Sequence, residues 1–255
     1  MRITRTIAET RAVLDSAEDI GLVPTMGAYH AGHTALFRAA RAECTTVVAS
    51  LFVNPAQFGN ATDLARYPRD EASDAAVAEE EGVDLLFAPA VDELYPPGYE
   101  TWVEVEQASR GLEGDARPDH FRAVATVCLK LFNIVRPSGV YFGQKDAQQV
   151  EVVRRMIRDL HLEIDLRVVP TVRDADGLAL SSRNSLLSAD ERRVALALPR
   201  AVATRDVALA RELLDGLDVD YVEVAPFDPP VLAAAVRVGS VRLIDNVPID
   251  QGGRK

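Results

Sequence analysis

The sequence predicts an α/β protein: a Rossmann-like parallel sheet wound by helices, followed by a smaller C-terminal α+β domain. Three observations carry this. Apolar runs of strand length alternate with helix-periodic segments between Gly21 and Val169, turn residues separate them, and the pattern changes character after Pro170. Strands buried on both faces read as continuous apolar runs, and parallel neighbours must be joined by crossovers of helical length.

The elements follow in order. Gly21–Thr25 is a short apolar strand, and Leu36, Phe37 and Ala40 give His33–Ala42 a helical face. Thr46–Val53 reads as a buried strand, Asp63–Glu81 as one amphipathic helix ending at Gly82, and Asp84–Phe87 as another strand. Phe121–Val135 is helical, with Val124, Val127, Leu131 and Ile134 on one face. Val140–Phe142 is a strand, Ala147–Leu160 a helix, and Glu163–Val169 a strand stopped by Pro170. The turn-rich stretch TVRDADGLALSSRNSLLS then reads as a loop, and Ser188 with Glu191 forms a capping box that opens one long helix. A strand at Tyr221–Val224, a helix near Val231–Val236 and a strand at Val241–Ile244 complete the chain. The domain boundary falls near Pro170–Arg173, which divides the chain into residues 1–171 and 172–255.

Composition narrows the function. With 48% hydrophobic and 26% charged residues the 255-residue chain has the make-up of an ordinary soluble protein. Its formal net charge of −11 argues against nucleic acid or anionic membranes as partners. A small anionic ligand needs only a few local cations and backbone N–H groups. The chain's start shows no apolar targeting segment and its apolar runs are too short to span a bilayer, so a cytoplasmic location is expected. Cys44 and Cys128 lie far apart inside apolar patterns, as reduced core residues do.

The chemistry concentrates where a strand becomes a helix. VPTMGAYHAGHTAL, Val23–Leu36, holds two of the four histidines. In an open α/β sheet, ligands bind beyond the carboxyl ends of the strands. Gly27 permits a sharp turn, and Gly32 lets a planar group lie against bare backbone. His30 and His33, three apart near a helix start, project to one side. With the N–H groups of the first helical turn they compose an anion site. Two alternatives remain at this point: a pair of plain surface histidines, or metal ligands that lack a companion carboxylate or cysteine nearby. Asn54 and Gln57, after another buried strand, offer amides that donate and accept, as a small hydroxy acid requires. Gly143-Gln144-Lys145-Asp146 supplies close backbone approach, a mobile cation for phosphate and an acceptor for ribose hydroxyls, and otherwise reads as a solvated turn. Ser181, Ser182 and Arg183 bring two hydroxyls and a forked cation suited to polyphosphate, on what is otherwise an ordinary loop.

At these residues the sequence resembles a known family. PTMGAYHAGH (Pro24–His33) is similar to the PTMGALHxGH signature of pantothenate synthetases, members of the HIGH-motif nucleotidyltransferase superfamily. SLFVNPAQFG (Ser50–Gly59), RPDHFRAVATVCLKLFNIVRP (Arg117–Pro137), YFGQKDAQQ (Tyr141–Gln149), DGLALSSRN (Asp176–Asn184) and RLIDN (Arg242–Asn246) resemble five further motifs, in order. Three departures stand out. Ala123 replaces the usual glycine of FxGV, Ala147 replaces the tyrosine of KDYQQ, and the stretch between about Arg205 and Tyr221 is short.

The resemblance implies an ATP-dependent ligation of pantoate to β-alanine through a pantoyl adenylate, in a cytoplasmic homodimer paired through its first domain. It implies an ATP site made from Met26, Gly27, Ala28, Tyr29, His30, Ala31, Gly32 and His33, with Gly143, Gln144, Lys145, Asp146, Val172, Leu180, Ser181, Ser182 and Arg183. Within it, His30, His33, Lys145, Ser181, Ser182 and Arg183 carry the catalysis, with His33 the nominal proton donor. Gly143 and Asp146 would meet ribose, the backbone near Val172 adenine, and Asn54, Gln57 and Gln149 the acid. Magnesium is expected on the phosphates of ATP, with no metal held by the protein alone. The C-terminal domain would serve as a lid carrying the SSRN loop. Two rivals are a transferase joining AMP to a phosphorylated metabolite, which the amide set opposes, and a non-catalytic nucleotide-binding regulator, which the intact histidine, lysine and Ser-Ser-Arg set opposes.

Overall fold

Strand β1 (Arg2–Thr4) opens the chain and leads through a Thr6 cap into α1 (Ile7–Leu14) in a computed structural model that describes residues 1–59 and 61–249. The apolar runs then become β2 (Ile20–Thr25) and β3 (Thr46–Leu51), separated by α2 (Ala31–Glu43). The segment expected as one helix at Asp63–Glu81 is two, α3 (Ala61–Arg66) and α4 (Glu71–Glu80). Pro68 lies between them, where its ring and missing N–H forbid a continuous helix, and Asp70 caps the second. There follow β4 (Leu85–Phe87), the short helices α5 (Val91–Leu94) and α6 (Leu112–Ala116), and α7 (His120–Val135). In α7 the expected stripe Val124, Val127, Leu131 and Ile134 is buried. Strand β5 (Gly139–Gly143), α8 (Ala147–Asp159) and β6 (Asp165–Val169) complete this part.

These strands form one six-stranded sheet ordered β1-β4-β3-β2-β5-β6, with β1/β4, β4/β3, β3/β2 and β2/β5 all parallel. The expected wound α/β sheet is present. From β2 the chain winds outward through β3 to β4, then returns to the other flank of β2 with β5. The switch of winding direction at β2 opens the crevice in which such sheets bind ligands.

After Pro170 the expected long helix is three: α9 (Ala189–Ala195), α10 (Ala197–Ala203) and α11 (Val207–Leu213). Ser188 and Glu191 make the capping box foreseen. Pro199 has no N–H to give back to Ala195, which ends α9, and Arg205 adopts φ +57, which separates α10 from α11. Three antiparallel strands follow, β7 (Asp218–Ala225), β8 (Val231–Val238) and β9 (Val241–Pro248), with β8 central. The helix expected at Val231–Val236 is therefore a strand. VLAAAV is buried along its whole length, so it lacks the polar alternation that distinguishes a strand from a helix.

The chain divides into two compact units, Met1–Phe142 with Val152–Val169, and Gly143–Glu151 with Pro170–Lys255. Residues 143–151, grouped with the first domain on sequence grounds, cluster with the second unit because hydrogen bonds from β9 hold them there. The first unit's core includes Phe37, Val47, Leu86 and Tyr141. The second packs Leu198, Val202, Leu214, Leu232 and Val236. Cys44 and Cys128 are buried free cysteines, and burial pushes the Cys128 thiol up to about 12. Among the described residues no helix is long and apolar enough to cross a membrane.

Candidate active site

In the first unit, β2 ends at Thr25 and the chain turns through Met26–Tyr29 before α2 begins. Gly27 sits at φ +87 and Ala28 at φ +55. A Cβ on Gly27 would stand 2.6 Å from both Asp74 Oδ2 and Leu51 Cδ1, so only glycine fits. The Asp74 carboxylate, 4% exposed, accepts from Ala28 N at 2.9 Å and from Tyr29 N at 2.8 Å. One buried charge from α4 thus satisfies two turning amides and fixes the loop. Asp74 has no signal of its own in sequence, where it reads as one more acid in an acidic helix.

The two histidines cap the loop's own backbone. His30 Nδ1 accepts from Gly32 N at 3.1 Å, His33 Nδ1 accepts from His30 N at 3.3 Å, and the rings lie 4.2 Å apart. A neutral imidazole whose Nδ1 accepts must carry its proton on Nε2. Both rings are therefore set as Nε2–H donors. The N–H groups of His33 and Thr34 bond to His30 O, and that of Gly32 to His30 Nδ1. The Gly32 amide is thus taken by an imidazole and those of His33 and Thr34 by the His30 carbonyl, so the loop satisfies these three amides itself. Tyr29 packs against His33 and Phe37. Burial raises its phenol well above the ordinary tyrosine range, and Thr25 Oγ1 lies 3.0 Å from that phenol.

The amide pair lies at the end of the neighbouring strand. Asn54 caps the 3-10 turn Pro55–Gln57, accepting from Ala56 N at 3.3 Å and donating from Nδ2 to Gln57 Oε1 at 3.2 Å. Gln57 Nε2 reaches Met26 Sδ at 3.0 Å, which brings this pair beside the histidine loop. Two residues with no assigned role complete the support. His120 Nδ1 lies 3.2 Å from Gln57 O, and Arg117 donates to the same carbonyl at 3.4 Å. His120 must then be protonated on Nδ1, the reverse of His30 and His33.

In the second unit, Gly143 leads into the 3-10 turn Gln144–Asp146, whose Lys145 Nζ lies 3.5 Å from Asp146 Oδ1. Gln149 follows, half-buried, on the first turn of α8. Leu180 N donates to Val172 O at 3.0 Å, closing a hairpin that delivers Ser181–Arg183. Ser181 caps the turn Ser182–Leu186 by accepting from Arg183 N at 3.3 Å. The whole expected set therefore falls on strand ends, helix starts and capped turns, in two clusters, one in each unit. Among the described residues no group of three or more histidine, cysteine or carboxylate side chains is placed to hold a metal ion.

Fold and side chains together define an α/β protein with imidazole and amide groups at the switch point of a parallel sheet. A family model described as pantoate-beta-alanine ligase matches residues 2–248. The pantothenate synthetase of Chloroflexus aurantiacus is 49% identical over 281 residues, covering 100% of both chains. That of Heliobacterium modesticaldum is 48% identical over 280 residues, covering 98% of this chain and 100% of its own. The crystal structure of the Thermus thermophilus pantothenate synthetase superposes with TM-score 0.92 at 44% identity, covering 97% of this chain and 99% of that one. The pantoate-beta-alanine ligase of Francisella tularensis, crystallised with beta-gamma ATP and beta-alanine, gives TM-score 0.88 at 34% identity, covering 97% of each chain. The chain belongs to the pantoate-beta-alanine ligase family.

Proposed function

We propose that the chain condenses pantoate with β-alanine at the expense of ATP, giving pantothenate, AMP and pyrophosphate. A pantoate carboxylate oxygen attacks the α-phosphorus and pyrophosphate leaves, forming pantoyl adenylate. The β-alanine amine then attacks the acyl carbon, loses a proton and expels AMP. Adenylation is needed because a carboxylate is a poor acyl donor. No covalent nucleophile is required, and positioning with charge stabilisation carries the rate.

The observation that carries this reading is the paired Nε2–H donors of His30 and His33 at the sheet's switch point, in a chain that matches the ligase family over residues 2–248. In the first unit His30 and His33 meet the ATP phosphates as charge builds there. Met26, Gly27, Ala28, Tyr29, Ala31 and Gly32 shape the loop, and Asn54 and Gln57 hold pantoate. In the second unit Lys145, Ser181, Ser182 and Arg183 hold the β- and γ-phosphates. Gly143, Gln144 and Asp146 attend the ribose, the backbone of Val172 and Leu180 the adenine, and Gln149 the acid. Magnesium accompanies ATP through its phosphates. The functional division is a nucleotide- and pantoate-binding domain of residues 1–171 and a lid of 172–255, and the active form is a cytoplasmic homodimer. The family resemblance supports these last assignments.

Measuring both half-reactions tests the reading. With ATP and pantoate alone, pyrophosphate should appear to about one equivalent of enzyme and then stall. Adding β-alanine should release AMP in multiple turnovers. AMP release that is indifferent to pantoate would refute it.

A further inference from the structure

Two consecutive residues of β9 hold the Gln144–Asp146 turn and the hairpin that leads to Ser181–Arg183. Asn246, 4% exposed, donates from Nδ2 to the carbonyls of Gln144 at 3.0 Å and Lys145 at 2.8 Å. Its Oδ1 accepts from Gln144 Nε2 at 3.1 Å. Asp245, also buried, receives Arg173 through two parallel bonds of 2.7 and 3.0 Å, and its Oδ1 also accepts from Asn246 N at 2.8 Å. Arg173 in turn donates to Gly177 O at 3.1 Å and pairs with Ala179 across an isolated antiparallel bridge. That hairpin ends in Ser181.

The strand itself has no need of these groups. β9 contributes Val241 and Leu243 to the core, and its backbone is paired along β8. A buried carboxylate and a buried amide cost free energy unless every bond is made, and apolar residues would pack there at less cost. What the pair adds is placement. It ties residue 145 and the hairpin before residue 181 to one rigid point, across separations in sequence of about 100 and 70 residues.

We propose that Asp245 and Asn246 are positioning residues for the adenylation half-reaction. They touch no substrate. Asn246 sets where the Lys145 ammonium stands, and Asp245, through Arg173, sets where the Ser181–Arg183 turn begins. This rests on the assignment of those groups to the triphosphate.

The test compares Asn246→Ala, Lys145→Ala and the double variant, each in the full-length protein. Adenylate formation is measured in a single turnover, and β-alanine attack is measured on supplied pantoyl adenylate. Asn246→Ala should slow adenylation on the order of 10- to 100-fold and raise the KM for ATP, the scale of effect that misplacing a reacting group by an ångström produces. Attack on supplied adenylate should stay within about twofold of wild type, and in the Lys145→Ala background the same change should cost no more than about twofold. Full additive cost in both backgrounds, or equal loss in both half-reactions, would assign Asn246 to folding alone and overturn the proposal. Should Asn246→Ala fail to fold, Asn246→Asp keeps the side-chain shape but removes both Nδ2 donations to the Gln144 and Lys145 carbonyls, and the same two rates decide. For the other arm, Asp245→Asn keeps the shape but loses the charge, and it should show the same split between half-reactions; equal slowing of both would overturn that arm. A wild-type adenylation rate in Lys145→Ala would bring down the phosphate assignment and this inference with it. A slow Lys145→Ala beside an unaffected Asn246→Ala would remove the inference alone.

Discussion

The histidine loop of the first unit and the lysine turn of the second reach comparable ends by different means. Met26–His33 is held largely from within, His30 capping Gly32 N and His33 capping His30 N, while Asp74 accepts from the amides of Ala28 and Tyr29 and Gln57 reaches Met26. Gln144–Asp146 is held from outside by Asn246, and the Ser181 hairpin by the Arg173–Asp245 pair. A self-capped loop uses the amides of Gly32, His33 and Thr34 on itself and presents imidazole N–H groups beside them. A turn held by its carbonyls keeps a flexible cation on a long stem. The first arrangement suits a transition state whose geometry is fixed. The second suits a polyphosphate that must arrive and leave.

The comparison can be broken most decisively at His33. Replacing it with alanine should slow adenylate formation by about 10² or more, the usual cost of one preorganised donor. Rapid-quench measurement decides this; an unchanged single-turnover rate with a raised KM for ATP would reduce His33 to ground-state binding. Next in size is Arg183→Ala. It should slow adenylation by roughly 10- to 100-fold, as loss of a charge-assisted contact does, while leaving β-alanine attack on synthetic adenylate near wild type. Equal damage to both steps would show that Arg183 organises the site as a whole.

Asp74→Ala probes the self-held loop. Two buried amides lose their acceptor, so thermal or denaturant unfolding should show about 2 kcal/mol less stability, with roughly a tenfold weaker ATP affinity. Intact affinity would mean that the imidazole caps alone hold the loop. The smallest effect concerns acid. The hydrogen bond from Arg192, at 2.7 Å, holds the Asp176 carboxylate below its ordinary value of 3.8. A depressed folded value stabilises above 3.8 and is lost as pH falls through the folded value. The hairpin before Ser181 should therefore loosen below pH 3.8, read as faster amide exchange there, and Arg192→Gln should remove that acid dependence. The pair is largely solvent-facing, so the shift should be small.

Much was decided by the sequence alone. Apolar runs set β2 to β5 because a strand buried on both faces needs no partner information to be recognised. The histidine pair, the amides and the Ser-Ser-Arg turn were legible because each lies within ten residues of a strand end or helix start that sequence marks. Even α1 carried a Thr6-to-Glu9 box that would have revealed it. Only tertiary structure decided the rest. VLAAAV became a strand because β7 and β9 flank it, a fact absent from its own pattern. Asp74, His120, Arg117, Asp245 and Asn246 became supports because folding brought them to backbone and side-chain groups 45 to 102 residues away. Periodicity records which face is apolar. It does not record which distant amide or carbonyl a buried polar group must satisfy, and that pairing exists only once the chain is folded.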